Sequence, residues 1–149
     1  MKDHDLELAK LKLIEEDLSL VFVKNKKVVF ETKQQGVTGF LQAIEKMHQE
    51  LVEASVADKI VGVAAAMLCI YSGVSSVFAM TVSEGGILLL KDNNIECQFE
   101  KKVSNILNRD KTDVCPFEKI ALPSETAEEG YVKLKALASK MIRKSTTKC

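Results

Sequence analysis

From Leu18 onward the apolar positions run LSLVFV, break over Lys24 to Lys27 (KNKK), and resume as VVFE. Two stretches of β-branched and aromatic residues around a polar pair predict a β-hairpin turning at Asn25-Lys26. Ahead of it, Leu6, Leu8, Leu11, Leu13 and Ile14 stand among charges with mixed spacing. The segment 1–14 therefore reads as a lead-in, either a short helix or partly disordered. After Gly36, the residues Val37, Phe40, Leu41, Ile44, Met47, His48 and Leu51 recur at three- and four-residue steps, with Gln42, Glu45, Lys46 and Gln49 opposite. This is the pattern of a helix with one face on a sheet.

The stretch Asp58 to Gly73, DKIVGVAAAMLCIYSG, is apolar nearly throughout. It falls short of the roughly 20 apolar residues that cross a bilayer, so it is expected as a buried helix around which the chain packs. Asp58 is the expected N-cap, its carboxylate accepting from Ile60 or Val61, and Gly73 the left-handed stop. VSSVFAMTV then predicts a strand buried on both faces, and Ser83-Glu84-Gly85-Gly86 opens a further helix. IECQF alternates, with Ile95, Cys97 and Phe99 inward. Strand and helix in alternation imply parallel pairs joined by right-handed crossovers.

Val103, Ile106 and Leu107 suggest a short helix, Asn108 to Asp113 a polar loop, and Cys115-Pro116-Phe117-Glu118 a new helical turn with Pro116 at its first position and Cys115 at its N-cap. Thr126 and Glu129 form a capping box before an amphipathic helix of Tyr131, Leu134, Leu137, Ala138 and Met141. Residues 15–142 make one domain, and 143–149 a frayed tail.

Composition narrows the function classes. The chain has 149 residues, with 21 basic and 21 acidic, for zero formal net charge. No global field draws it to nucleic acid or an anionic membrane. The N-terminus lacks a signal-peptide core and no run spans a membrane, so the expected place is the cytoplasm. At this length the fold is expected to need neither disulfide nor metal, and because Cys69, Cys97, Cys115 and Cys149 are scattered singly, with no C-x-x-C and no close histidine, no structural zinc site is expected.

The hairpin LVFVKNKKVVFE, the segment VADKIVGVAAAML, the strand YSGVSSVFAMTVSE and the loop NRDKTDVCPFEK together resemble a small prokaryotic domain family of unknown function, over about residues 15 to 137. The resemblance implies an α/β fold, a three-layer α-β-α cytidine-deaminase-like domain with a mixed sheet. Zinc deaminases of that fold carry His or Cys with Ala-Glu at one helix opening and Pro-Cys-x-x-Cys at the next. The matching openings here, Asp58-Lys59 and Ser83-Glu84-Gly85-Gly86, hold no thiolate or imidazole, so no zinc and no other cofactor is expected.

Three readings follow. In the first, a zinc-free domain binds a nucleotide or related small anionic ligand at the Asp58 helix opening. Asp58, Lys59, Gly62 and Glu84 line that site, and Asn108, Arg109 and Asp110 join it from the later loop. In the second, a metal-independent enzyme uses Cys115 as nucleophile at a helix N-terminus, and Glu118, Asp58 or Lys59 moves protons. The third is a homodimeric interaction module built on the small side chains of the central helix and the apolar face of the terminal helix.

Overall fold

Asn25 and Lys26 take φ of 53° and 67°, the positive pair that a two-residue type I′ turn needs. They join β1 (Leu20–Lys24) to β2 (Lys27–Thr32) as an antiparallel hairpin in the computed structural model, which describes residues 2–144. The turn is held from α1 (Lys2–Glu15), where the buried Asp5 carboxylate accepts from Asn25 N at 3.0 Å and Lys26 N at 2.8 Å. Leu6, Ala9 and Leu13 of α1 pack on Val21, Val23, Ala57 and Phe78, while Leu11 and Ile14 stay exposed, which explains the mixed apolar spacing. Asp5→Ala removes the acceptor of two amides and is expected to cost about 1–3 kcal/mol in urea unfolding. A variant as stable as wild type would mean that apolar contacts alone hold α1.

The chain continues through α2 (Gly36–Met47), a 3₁₀ turn (His48–Leu51), β3 (Ser55–Val61), α3 (Val63–Ser72), β4 (Ser76–Ser83), α4 (Glu84–Asp92), β5 (Glu96–Val103), α5 (Pro116–Ala121) and α6 (Ala127–Lys144). The five strands lie in the order β2-β1-β3-β4-β5, with β1 antiparallel to both neighbours and β3, β4 and β5 parallel. Leu20, Phe22, Val56, Val77 and Ala79 form one core with apolar side chains of α2 to α6. The opposite face belongs to α1. The result is the three-layer α-β-α arrangement with a mixed sheet. β1 is buried on both faces because it lies inside the sheet, so its sequence is continuously apolar.

The central apolar stretch divides differently from the expectation. Asp58 to Val61 end β3, where Asp58 pairs with Leu20 on one side and Ala79 on the other, and the helix starts only at Val63 with Gly62 as N-cap. Asp58 Oδ1 does accept from Ile60 N, at 3.3 Å, but as a strand residue rather than a helix cap. Gly73 closes α3 at φ 79°, as expected of a left-handed stop. The small side chains of α3 and its neighbours let the chain's own helices approach: Met67 meets Gly130 of α6, and Val63 meets Gly85 of α4.

A second difference lies after β5. Val103 ends that strand, and Leu107 bridges Val114 across the polar turn, so no helix forms over 103–107. Phe99 is 42% exposed because β5 is the sheet edge, and only Ile95 of the expected inward set is buried. The tail expected at 143–149 falls, from residue 145, outside the described residues.

Candidate functional site

β3 outlasts β1. It pairs with β1 only as far as Asp58 but with β4 as far as Val61, leaving a step at the carboxyl end of the sheet. Crevices outside the carboxyl ends of parallel strands are the usual ligand positions of α/β sheets. Here two adjoining cavities open on the step. The outer one holds about 130 Å³ and is lined by Ser19, Gln35, Gly36, Asp58, Lys59 and Ile60. The inner one holds about 20 Å³, room for one water, and reaches Phe40, Gly62, Cys115 and Glu118. Gly36, Asp58 and Ile60 line both.

Strand alternation turns Asp58 and Lys59 to opposite faces. Lys59 reaches back to the α1 side, where Nζ lies 2.9 Å from Asp17 Oδ1. Asp58 has no basic side chain in ion-pair contact among the described residues, and its burial pushes the carboxyl up to about 7 against the smaller pull of the Ile60 and Lys59 amides. It is therefore poised between acceptor and donor near neutrality.

Glu118 occupies the helix opening itself. Its buried carboxylate accepts from Val63 N and Ala64 N, each at 2.8 Å, so the first amides of α3 are already satisfied by the chain. Desolvation raises its pKa, opposed by those two amides. Phe117, 1% exposed, anchors α5 beside it. The contact requires glycine at position 62, because a Cβ there would lie 2.5 Å from Glu118 Cδ. By contrast, α2 starts with no side-chain cap and no acidic residue in its first turn, and its Gly36 and Val37 line the inner cavity. The helix end open toward the cleft is thus that of α2, not α3.

Asp58, Gly62, Cys115 and Glu118 meet in one cavity, and Lys59 borders the outer one. Glu84, exposed at the first position of α4, is not among the lining residues, and Ser83 caps that helix by accepting from Gly86 N at 3.0 Å. Asn108, Arg109 and Asp110 also stay away. Asn108 is spent on the turn, with Oδ1 accepting from Thr112 N at 3.0 Å and Nδ2 donating to Thr112 Oγ1 at 3.2 Å, and Arg109 is exposed. Cys115 precedes Pro116 as expected of an N-cap residue but is buried and disulfide-bonded, so it presents no thiolate. The fold was expected to need no disulfide, and one is nonetheless present at Cys115, which takes that residue out of the nucleophile role expected for it. Ser19, Gln35 and Gly36 carried no site signal in sequence, because they reach the cleft only through the pairing of β1 with β3 and the entry of α2.

The two helix openings offer Gly62 with Val63 and Ser83 with Glu84, the first filled by Glu118, a donor set that does not fit zinc. Among the described residues no group of three His, Cys, Asp or Glu side chains gathers as a metal site. No described helix is long and apolar enough to cross a membrane.

Fold and cleft define a three-layer α-β-α domain with two carboxyl side chains at the end of its central parallel strand. Residues 8–138 match the family TM1506, domain of unknown function DUF1893, and the chain belongs to that family. A DUF1893 family protein from Thermotoga maritima, known by crystal structure, is similar at 25% identity and TM-score 0.81, over 94% of this chain and 92% of that one. Two forms of Acinetobacter baumannii RibD align at 18% identity and TM-scores of 0.47 and 0.48, over 66% of this chain and 33% of theirs. At that distance nothing of RibD carries over. No curated protein matches the chain.

Proposed function

We propose that this domain binds a small ligand with an anionic or hydrogen-bond-accepting group, of nucleotide or phosphate type, in the cleft between Asp58 and the first turn of α2. The observation that carries the reading is the meeting of two cavities on Asp58, a carboxyl that titrates near neutrality and makes no ion pair among the described residues. In its protonated form Asp58 donates to a ligand oxygen, and the uncapped amides of α2 supply further donors. Val37, Phe40 and Ile60 give the apolar wall usual in such pockets.

Binding is expected to tighten as pH falls through about 7, by up to tenfold between pH 8 and 6, because the ligand selects protonated Asp58. Thermal-shift titrations with inorganic phosphate and nucleoside monophosphates check this. Asp58→Asn, which keeps a donor, should bind without pH dependence, and Asp58→Ala should bind weakly at every pH. Absence of any shift at millimolar ligand would sink the reading.

A further inference from the structure

A separate cavity, of about 190 Å³, lies at the other end of the helical layer and is lined by Ile44, His48, Gln49, Val52, Tyr71 and Ser72. These residues come from the last turns of α2 and α3, the 3₁₀ turn between them and Val52, which follows that turn. His48 stands at φ 48° and ψ −119°. That ψ takes it out of the left-handed well, into a region that is strained for a side-chain-bearing residue and that glycine adopts freely. Such strain persists where the fold or a function demands the side chain, and here the side chain borders a cavity.

Tyr71 forms a second wall. Its ring stacks on Tyr131 with centroids 4.2 Å apart and planes 9° from parallel, yet the residue remains 41% exposed. Part of an electron-rich aromatic surface therefore faces solvent beside the cavity. The electrostatics agree in sign. Two helix C-termini converge here, each carrying a partial negative charge, and among the described residues no Lys or Arg lines the cavity, Lys46 in the last turn of α2 lying outside its lining. Lys135 lies 5.8 Å from the centroid of Tyr131, the other ring of the pair. Glu50 and Glu53 are exposed in the adjoining segment.

We infer that this cavity is a second binding site, separate from the Asp58 cleft, that takes a small organic cation of the alkylammonium type against Tyr71, with His48 and Gln49 as polar neighbours. A quaternary ammonium group suits it, since such groups bind aromatic faces through charge and the ring quadrupole while asking for no strong acceptor. The site needs His48 in its strained backbone, so the stability cost at that residue and the binding are coupled.

The test is a titration of the isotope-labelled protein with tetramethylammonium chloride, followed by amide and aromatic chemical shifts against a sodium chloride control. Saturable shifts confined to His48, Gln49, Tyr71 and Ser72 are expected at millimolar concentration. They should weaken at least fivefold in Tyr71→Ala, whose folding is verified by the dispersion of its other resonances. His48→Gly should raise the melting temperature by a few degrees and weaken binding. Linear, non-saturating shifts, or equal affinity in Tyr71→Ala, would overturn the site. A His48→Gly variant with raised stability and unchanged binding would show that the strain serves the fold alone and would likewise overturn the coupling.

Discussion

Asp58→Asn should make the protein more stable at pH 8 and leave it unchanged at pH 4. The folded carboxyl titrates at about 7 against 3.8 for an unperturbed one. A raised folded pKa means that the native state holds a proton the unfolded chain has released, so stability is fully present below about 3.8 and is lost as pH rises through 7. A shift of this size corresponds to roughly 2–4 kcal/mol, the lower figure allowing for the solvent that Asp58 still meets in the cleft. Asparagine keeps an acceptor for Ile60 N and carries no charge, so the Asp58 part of this fall is absent from the variant. Glu118, also raised by desolvation, adds a fall of the same sign that persists in the variant. Urea unfolding at pH 4, 6 and 8 checks this, and parallel curves for the two proteins would show that Asp58 ionises as an ordinary surface acid.

The second large effect is expected at Gly62. Its φ of −107° is open to any residue, so Gly62→Ala should be harmless by backbone conformation alone. What forbids a side chain is the Glu118 carboxylate, which would have to leave Val63 N and Ala64 N. Losing two charge-assisted hydrogen bonds in a buried setting costs about 2–4 kcal/mol. Glu118→Ala should cost a similar amount, because it removes the same bonds. The double variant should then be about as stable as either single one, a coupling of about 2–4 kcal/mol in a double-mutant cycle. Additive losses would show that Gly62 is needed for some other contact.

The hairpin, the crossover from β4 through α4 to β5 and the stop at Gly73 were legible because each rests on local chemistry: turn residues, apolar runs and a glycine at the helix end. The start of the central helix was not. Val56, Ala57, Ile60 and Val61 run on into the apolar helix they precede, and only the neighbours Leu20 and Ala79, distant in sequence, make the segment a strand. Val103 failed in the same way, since its partner Ser83 lies twenty positions back. Within the site, Asp58, Lys59, Gly62, Cys115 and Glu118 were singled out from sequence, but their relation was not visible. That Glu118 would close the opening of α3 is a long-range fact about where α5 lands. Arg109 and Asp110 looked chemically rich because turns are polar, and the turn they belong to faces solvent.

Carboxyl-carbon NMR of Asp58, titrated with and without a nucleoside monophosphate, tests the central claim most directly. The expected midpoint is near 7 in the free protein and higher with ligand, because a bound oxygen acceptor favours the protonated acid. A midpoint near 3.8 that ligand leaves unmoved would contradict both the buried setting of Asp58 and its place in a binding site.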